Sequence, residues 1–263
     1  MKIRRMRPSL VYYFLPSALP PLTLGIKPDI SFKEFREMLL LNLTLTDLKK
    51  LDALLAPIDL YNVKALWLRM PLDDKGTIAA RDLEESLLVR DSIPPYLVEF
   101  LEQYDATADR LRNFSSLYAS LYRREWDGFL GKYYQFEREL RLILTALRAK
   151  RAGRDLVREL QFEDPYDPLV AQILAQKDGA EYTPPIEYEE LKTLFVDNSL
   201  EPEKLAFALL KYRFDKIEEM EENELFTIDH VLGYAARLLI VESWDQLDRE
   251  KGSMAMEELS RYG

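Results

Sequence analysis

The stretch that decides the fold is residues 133–147, YYQFERELRLILTAL. Its apolar residues recur three or four positions apart, so they share one side of a helix. These residues are Tyr133, Phe136, Leu140, Ile143, Leu144 and Leu147. Glu137 lies four residues before Arg141, a spacing at which opposite charges pair on a helix surface. The stretch therefore predicts a helix with one buried side.

Capping signals divide the first hundred residues into further helices. Ser31 and Glu34 form a capping box, in which each side chain binds the backbone of the other residue. Thr46 is predicted to cap a second helix and Pro57 to end it, because proline lacks the N–H that a helix interior needs. Asp59 is predicted to cap a third. The sequence thus predicts separate helices on the two sides of Pro57.

Helices also dominate the second half of the chain. Between Arg110 and Leu160, glycines at 128, 131 and 153 leave one, two or three helices open. A last helix is predicted to start at Thr227 and to run towards Gly252. The other predicted helices cover 169–174, 187–196 and 202–219. The predicted fold class is all-α, divided into an N-terminal lobe, residues 1–108, and a C-terminal lobe, residues 109–263, with residues 161–168 as an alternative boundary.

The N-terminus has a different character. Lys2, Arg4, Arg5 and Arg7 precede the apolar stretch Leu10–Leu15, as in a secretory signal peptide. Prolines interrupt that stretch early, and no clear cleavage site follows. They are Pro16, Pro20 and Pro21. We predict a retained extended segment or short strand over Leu10–Leu24 rather than a signal peptide.

Composition limits the classes of function. The chain has 263 residues, of which 48% are hydrophobic and 31% charged, a balance typical of a folded protein rather than a disordered one. Its net charge of −10 argues against nucleic-acid binding, which needs a basic face. The charge is uneven: residues 1–50 carry nine Lys/Arg against four Asp/Glu, and residues 201–263 carry eight against fifteen. The two ends of the chain are thus of opposite sign.

No catalytic constellation is recognisable. The chain has no cysteine, which excludes disulfides and thiolate metal sites, and its one histidine, His230, is predicted to be a polar residue in a first helical turn. No glycine-rich phosphate loop occurs, and no apolar run is long enough to span a bilayer. No cofactor or metal is expected. The fifteen tyrosines and three tryptophans instead suit protein interfaces as well as a core. Since Tyr133 and Tyr134 are adjacent, one ring is expected to face outward.

Several short elements carry a family resemblance. They are Tyr12-Tyr13-Phe14-Leu15 with Ser17-Ala18-Leu19-Pro20, Asp59-x-x-Asn62-Val63-Lys64-x-Leu66, Ile93-Pro94-x-Tyr96-Leu97-x-x-Phe100, Asp164-Pro165-x-Asp167-Pro168-Leu169, and Phe226-x-Ile228 to Leu238-x-Ile240-x-x-x-Trp244-x-x-Leu247. Together they resemble a bacterial family of uncharacterised proteins encoded with V-type ATPase components. That family is similar to the C subunit of V/A-type ATPases (the d subunit of eukaryotes), a funnel that receives the end of the central stalk. We call that protein the stalk-socket subunit. This chain is shorter than the stalk-socket subunit, which is built of three helical lobes.

The resemblance implies a non-catalytic part of a rotary motor. It implies helical lobes, partners in the central stalk and the membrane rotor ring, and a cytoplasmic location peripheral to the inner membrane through protein contacts only. The interface residues that it and the aromatic pattern suggest are Tyr12, Tyr13, Asp59, Asn62, Lys64, Tyr134, Arg138 and Trp244. For Asp59, Asn62 and Lys64, simple capping and solvation of a helix is the alternative. A helical adaptor or regulator unrelated to the ATPase is the alternative function, and an enzyme that uses carboxylates alone is a third.

Overall fold

The computed structural model describes the backbone of residues 15–221 and 227–261, and the side chains of 15–221 and 227–247. Tyr12 and Tyr13 lie outside this range, as do residues 10–14 of the predicted N-terminal segment. Its described part, residues 15–24, begins with a helical turn at 15–17 and contains no strand. The α-helices are α1 Phe32–Asn42, α2 Leu45–Leu68, α3 Ala80–Val89, α4 Pro95–Gln103, α5 Thr107–Arg112, α6 Ser115–Tyr122, α7 Gly128–Arg151, α8 Leu156–Glu159, α9 Pro168–Ala175, α10 Glu189–Asp197, α11 Pro202–Glu221 and α12 Ile228–Arg261. A 3₁₀ turn, Ile186–Tyr188, precedes α10. Within the described residues there is no strand, which confirms the all-α class.

Two compact units divide the chain. Unit 1 comprises residues 1–50, 128–130 and 190–263, and unit 2 comprises 51–127 and 131–189. Neither unit is a continuous stretch of chain. The two compact units therefore do not coincide with the two predicted lobes. The lobe boundary at residue 108 stays a prediction.

Unit 1 is organised around α12. The apolar face of this helix is buried from Val231 to Val241, and α11 packs along it. Helix α1 contacts it through the Phe35 and Tyr234 rings, whose centroids are 5.2 Å apart. The capping box predicted at the start of α1 is confirmed, since the side chain of each partner accepts from the backbone of the other. The backbone N–H of Phe32 also donates to Glu242 at 2.6 Å. Local capping and one distant carboxylate together fix where α1 begins.

Unit 2 contains most of α2. The prediction of two separate helices on either side of Pro57 is wrong. The helix runs without a break from Leu45 to Leu68, with Pro57 inside it. It is capped by Thr44, whose hydroxyl accepts from the N–H of Asp47 at 3.2 Å, rather than by Thr46. Proline at 57 removes the N–H that would bind the carbonyl of Ala53, four residues earlier. That carbonyl needs another donor.

The missing donor comes from α7. The hydroxyl of Tyr134 donates to the carbonyl oxygen of Ala53 at 2.5 Å. Tyr134 is only 2% exposed, so the bond forms away from water, where an unpaired carbonyl would be costly. The expectation that one ring of the Tyr133–Tyr134 pair faces outward is wrong, because Tyr133 is buried too. The two rings lie edge to face, with centroids 5.6 Å apart. A helix packed on more than one side buries adjacent residues.

The helix predicted over 133–147 is confirmed as the centre of α7. Between Arg110 and Leu160 the chain forms four helices, α5 to α8, rather than one to three. The breaks between α5 and α6 and between α6 and α7, at 113–114 and 123–127, contain no glycine, whereas Gly131 lies inside α7. Glycine spacing was therefore an incomplete guide to these boundaries. The turn at 164–168 and the helices after it agree with the sequence, and α12 continues past Gly252 to Arg261.

The bond between Tyr134 and Ala53 makes a testable prediction. Tyr134→Phe removes the hydroxyl and should lower the free energy of unfolding by about 1–3 kcal/mol, because the Ala53 carbonyl is left unpaired. In a Pro57→Ala background, residue 57 regains an N–H for that carbonyl, so Tyr134→Phe should cost less than about 1 kcal/mol. Urea unfolding of the four proteins measures this coupling. An equal cost of Tyr134→Phe in both backgrounds would show that the proline does not create the need for the hydroxyl.

Candidate functional site

A groove of about 890 Å³ in unit 2 brings several of the predicted residues together. One wall comes from the end of α6 and the loop after it, a second from α7, and a third from the turn before α9. Tyr134 and Arg138 both line it, as do residues of the element 164–169, one of those that carry the family resemblance. The groove therefore contains residues that were singled out by the family resemblance and residues that were singled out by the aromatic pattern.

The turn that forms the third wall is shaped by its own aspartates. Asp164 accepts a hydrogen bond from the N–H of Tyr166 at 2.9 Å, which folds the chain tightly. Asp167 caps α9, since its carboxylate accepts from the N–H groups of Leu169 and Val170, both at 3.1 Å. The two caps leave the ring of Tyr166 91% exposed. The element 164–169 is thus a rigid turn that presents one aromatic side chain.

Arg138 connects this turn to α7. Its guanidinium lies 3.0 Å from the carboxylate of Asp167 and 3.8 Å from that of Glu163. Glu163 also pairs with Arg141, one turn further along α7, and its side chain is only 5% exposed. A buried carboxylate needs such partners, because an unpaired charge loses its hydration without compensation. The predicted residue Arg138 is therefore part of an ion-pair network that fixes the groove.

Aromatic rings line the groove where the first and second walls meet. Trp126 stacks on Tyr134 with centroids 5.6 Å apart and planes inclined by 17°. The guanidinium of Arg124 lies 4.7 Å from the Trp126 ring. Burial raises the pKa of the Tyr134 phenol well above its usual value, so the hydroxyl stays protonated and remains a donor. Paired charges beside aromatic faces are suited to protein docking.

The element Asp59-x-x-Asn62-Val63-Lys64 holds a loop in unit 2. The side-chain amide of Asn62 donates to the carbonyl of Asp73 and accepts from its N–H, both at 2.8 Å. Asp59 accepts from the N–H and the hydroxyl of Thr77, at 2.7 and 2.6 Å. Lys64 is exposed, with its ammonium 5.5 Å from the centre of the Phe114 ring. Asn62 is buried and supports the loop, whereas Lys64 remains available at the surface.

Trp244, predicted at the interface, lies in unit 1. Its ring meets that of Phe207 edge to face, with centroids 4.9 Å apart, and it is half-buried. Tyr12 and Tyr13 are outside the described residues. The structure therefore gathers only Tyr134 and Arg138 in the groove. The predicted interface role of the set stays a prediction.

A buried charge cluster in unit 1 escaped the sequence analysis. Glu221 is only 3% exposed, and its carboxylate accepts hydrogen bonds from Nε and Nη2 of Arg237, at 2.7 and 2.9 Å. Arg237 also donates to Glu218 at 2.8 Å. Gly233 passes so close to Glu221 that a side chain there would collide with it. The available signal was Arg237 itself, a charge inside the apolar stretch 231–241, which requires a partner.

His230 lies beside this cluster. The backbone N–H of His230 donates to the hydroxyl of Thr227 at 3.3 Å, which confirms Thr227 as the cap of α12. Its Nδ1 is 3.4 Å from the Glu221 carboxylate. Burial lowers the pKa of His230, and the nearby Arg237 charge lowers it further.

In the described part of the chain, His, Asp and Glu side chains form no group of three or more suited to a metal ion. Among the described helices, none combines the length and apolar character that crossing a bilayer requires.

The Asn62 clamp makes a second prediction. Asn62→Ala should lower the free energy of unfolding by about 2 kcal/mol, because the Asp73 backbone loses the two hydrogen bonds that it makes with the Asn62 amide. Lys64→Ala, on the same helix but exposed, should change it by less than about 1 kcal/mol. Thermal or urea unfolding compares the two variants. Equal losses would contradict the assignment of Asn62 as the residue that holds the loop.

Glu221 makes a prediction about pH. Burial raises the pKa of its carboxyl to about 7, against the opposing effect of Arg237. A raised folded-state pKa contributes stability that is complete below the ordinary value of 4.5 and is lost as pH rises through about 7. The stability of the protein relative to Glu221→Gln should therefore fall over that interval, by on the order of 3 kcal/mol.

Urea unfolding of both proteins at several pH values tests this. Both proteins carry His230→Gln, because His230 lies 3.4 Å from Glu221 and its lowered pKa acts in the opposite direction. A difference that grows with pH would mean that the Arg237 ion pair outweighs burial.

Comparison with known proteins identifies relatives over most of the chain. The family described as protein of unknown function (DUF2764) matches residues 10–261. A protein of Chlamydia muridarum is 32% identical over 250 residues, which cover 92% of this chain and 94% of the relative. A protein of Chlamydia trachomatis is 30% identical, over 91% of this chain and 94% of the relative.

A third relative, from Chlamydia pneumoniae, is 28% identical over 92% of this chain and 94% of its own length. The names of all three describe uncharacterized proteins, and none mentions an ATPase. No solved structure matches the chain. On the family match and these full-length relatives, the chain belongs to the DUF2764 family.

Proposed function

We propose that the chain is a non-catalytic component or assembly partner of a V-type ATPase, similar to the stalk-socket subunit. In this role it couples the central stalk to the membrane rotor ring. It acts on the cytoplasmic side of the inner membrane and reaches the membrane through protein contacts only. The proposal rests on the sequence elements that resemble the stalk-socket subunit, and on how two of them behave in unit 2.

The groove in unit 2 is the observation that carries the proposal. The element 164–169 presents the exposed ring of Tyr166 there, and Arg138 ties that element to α7. An exposed aromatic residue on a rigid turn is a typical anchor for a protein partner, because little conformational entropy is lost when it is buried. The shape and residues of the groove thus support contact with another protein.

Rigidity supports the same role. A part that transmits torque must deform little, and close packing of long helices gives that stiffness. In unit 2, the Tyr134 bond to α2 and the Glu163 ion pairs brace α7 at two points. The segment 59–66, which also resembles the stalk-socket subunit, holds the loop at residues 73–77 through Asn62 and Asp59. These contacts are suited to a mechanical part.

Co-purification from cells at native expression tests the proposal. The tagged chain should bring down the stalk and rotor-ring proteins of the V-type ATPase. Tyr166→Ala should reduce that recovery by about ten-fold, as for loss of an interface anchor worth roughly 1.4 kcal/mol or more. Tyr61→Ala, which removes another exposed tyrosine of unit 2, is the matched control and should leave recovery unchanged.

Absence of ATPase proteins from the purified wild-type complex would contradict the proposal. If other proteins are recovered instead, in amounts that depend on Tyr166, a helical adaptor is the better interpretation. Both variants should unfold at the same temperature as the wild type, since neither side chain is buried.

A further inference from the structure

A second cavity in unit 2 has a different chemistry from the groove. It measures about 450 Å³ and lies where α2 and α3 end, beside α4 and α5. Its floor is apolar and includes Trp67, Leu87 and Leu101. Trp67 is held by Phe100, stacked 6.2 Å away, and by Phe114, edge-on at 6.0 Å. The floor is therefore fixed in place. We name this cavity the arginine pocket, after the residues at its rim.

The rim is basic. Arg69, Arg90 and Arg110 line the pocket together with one acidic residue, Glu84. The Arg90 guanidinium also lies 3.3 Å from Glu102 in an exposed ion pair, so three arginines stand against two carboxylates. Arg110 is oriented by a 2.7 Å hydrogen bond to the carbonyl of Tyr104, and its guanidinium lies 5.6 Å from the Trp67 ring. The chain as a whole carries a net charge of −10, so a local excess of arginine is unusual for it. Charge complementarity points to an acidic ligand.

The backbone supplies independent support. Arg69 follows the last residue of α2 with φ of 57°, and Arg90 follows α3 with φ of 59°. At the end of α2 the N–H of Met70 donates to the carbonyl of Ala65 at 2.9 Å, a helix ending that usually takes glycine at the residue before. Other residues pay a conformational cost in this left-handed region. Two arginines held at such a cost on one pocket suggest that the guanidinium groups themselves are used.

Exposed apolar residues adjoin the rim in sequence. Leu68 and Met70 flank Arg69, while Leu88 and Val89 precede Arg90, and Leu88 is 82% exposed. A small ligand would fill the pocket and leave these residues in water. A helix with one apolar side and acidic flanks would cover them and meet the arginines at once. Arginine is also among the residues that are enriched in interface hot spots.

We propose that the arginine pocket binds an acidic amphipathic helix of a partner protein. The apolar side of that helix covers Leu68, Leu88 and the pocket floor, and its carboxylates pair with Arg69, Arg90 and Arg110. The proposal uses residues other than those of the groove. It can therefore hold or fail independently of association with the ATPase.

Fluorescence anisotropy with the full-length chain tests it. The probe is a fluorescein-labelled helical peptide with Leu at positions i, i+3, i+4 and i+7 and Glu on both flanks. A matched peptide carries Lys in place of every Glu. The acidic peptide should bind with a dissociation constant in the micromolar range, about ten-fold or more below that of the basic peptide.

Glycine variants separate binding from folding. Arg69→Gly and Arg90→Gly relieve the backbone cost, so the midpoint of thermal unfolding should stay the same or rise. Each should still weaken binding of the acidic peptide about ten-fold, because a guanidinium is lost. Arg112→Ala, an exposed arginine on α5 that does not line the pocket, is the control and should bind as the wild type does.

Three results would overturn the proposal. One is equal affinity for the acidic and the basic peptide. Another is an equal effect of Arg69→Gly and Arg112→Ala on binding. The last is saturable binding of sodium oleate without binding of the acidic peptide, which would assign the pocket to a fatty carboxylate instead of a helix.

Discussion

Unit 2 depends on the hydrogen bond between the Tyr134 hydroxyl and the Ala53 carbonyl. Pro57 removes the donor that this carbonyl would have inside α2, and the phenol replaces it from α7. The same ring stacks on Trp126 in the wall of the groove. The Tyr134 side chain therefore keeps α2 continuous past Pro57, holds α7 against α2 and forms part of the groove surface.

Buried carboxylates brace both units in the same way. In unit 2, Glu163 is held by Arg138 and Arg141, and in unit 1, Glu221 is held by Arg237. Removing such a carboxylate from water is costly, and the arginines compensate only in one geometry. Each cluster therefore favours a single arrangement of its helices.

The groove and the arginine pocket have different chemistry because their charges are arranged differently. In the groove, arginines and carboxylates are paired with each other, and the exposed Tyr166 is the prominent contact. At the arginine pocket, three guanidinium groups outnumber the carboxylates of Glu84 and Glu102, and Arg69 and Arg90 have backbone in the left-handed region. A balanced surface suits a close-fitting partner, whereas a basic one selects by charge.

The sequence alone determined the helical class, the capping box at Ser31 and Glu34, and the central helix of 133–147, because these depend on residues within a few positions of one another. It also pointed to Tyr134 and Arg138. Only the tertiary structure decided that Pro57 lies inside a helix, that Tyr133 and Tyr134 are both buried, and that Arg237 finds Glu221. The reason is distance along the chain: Tyr134 lies 81 residues from Ala53, and no local pattern indicates that it supplies the missing donor.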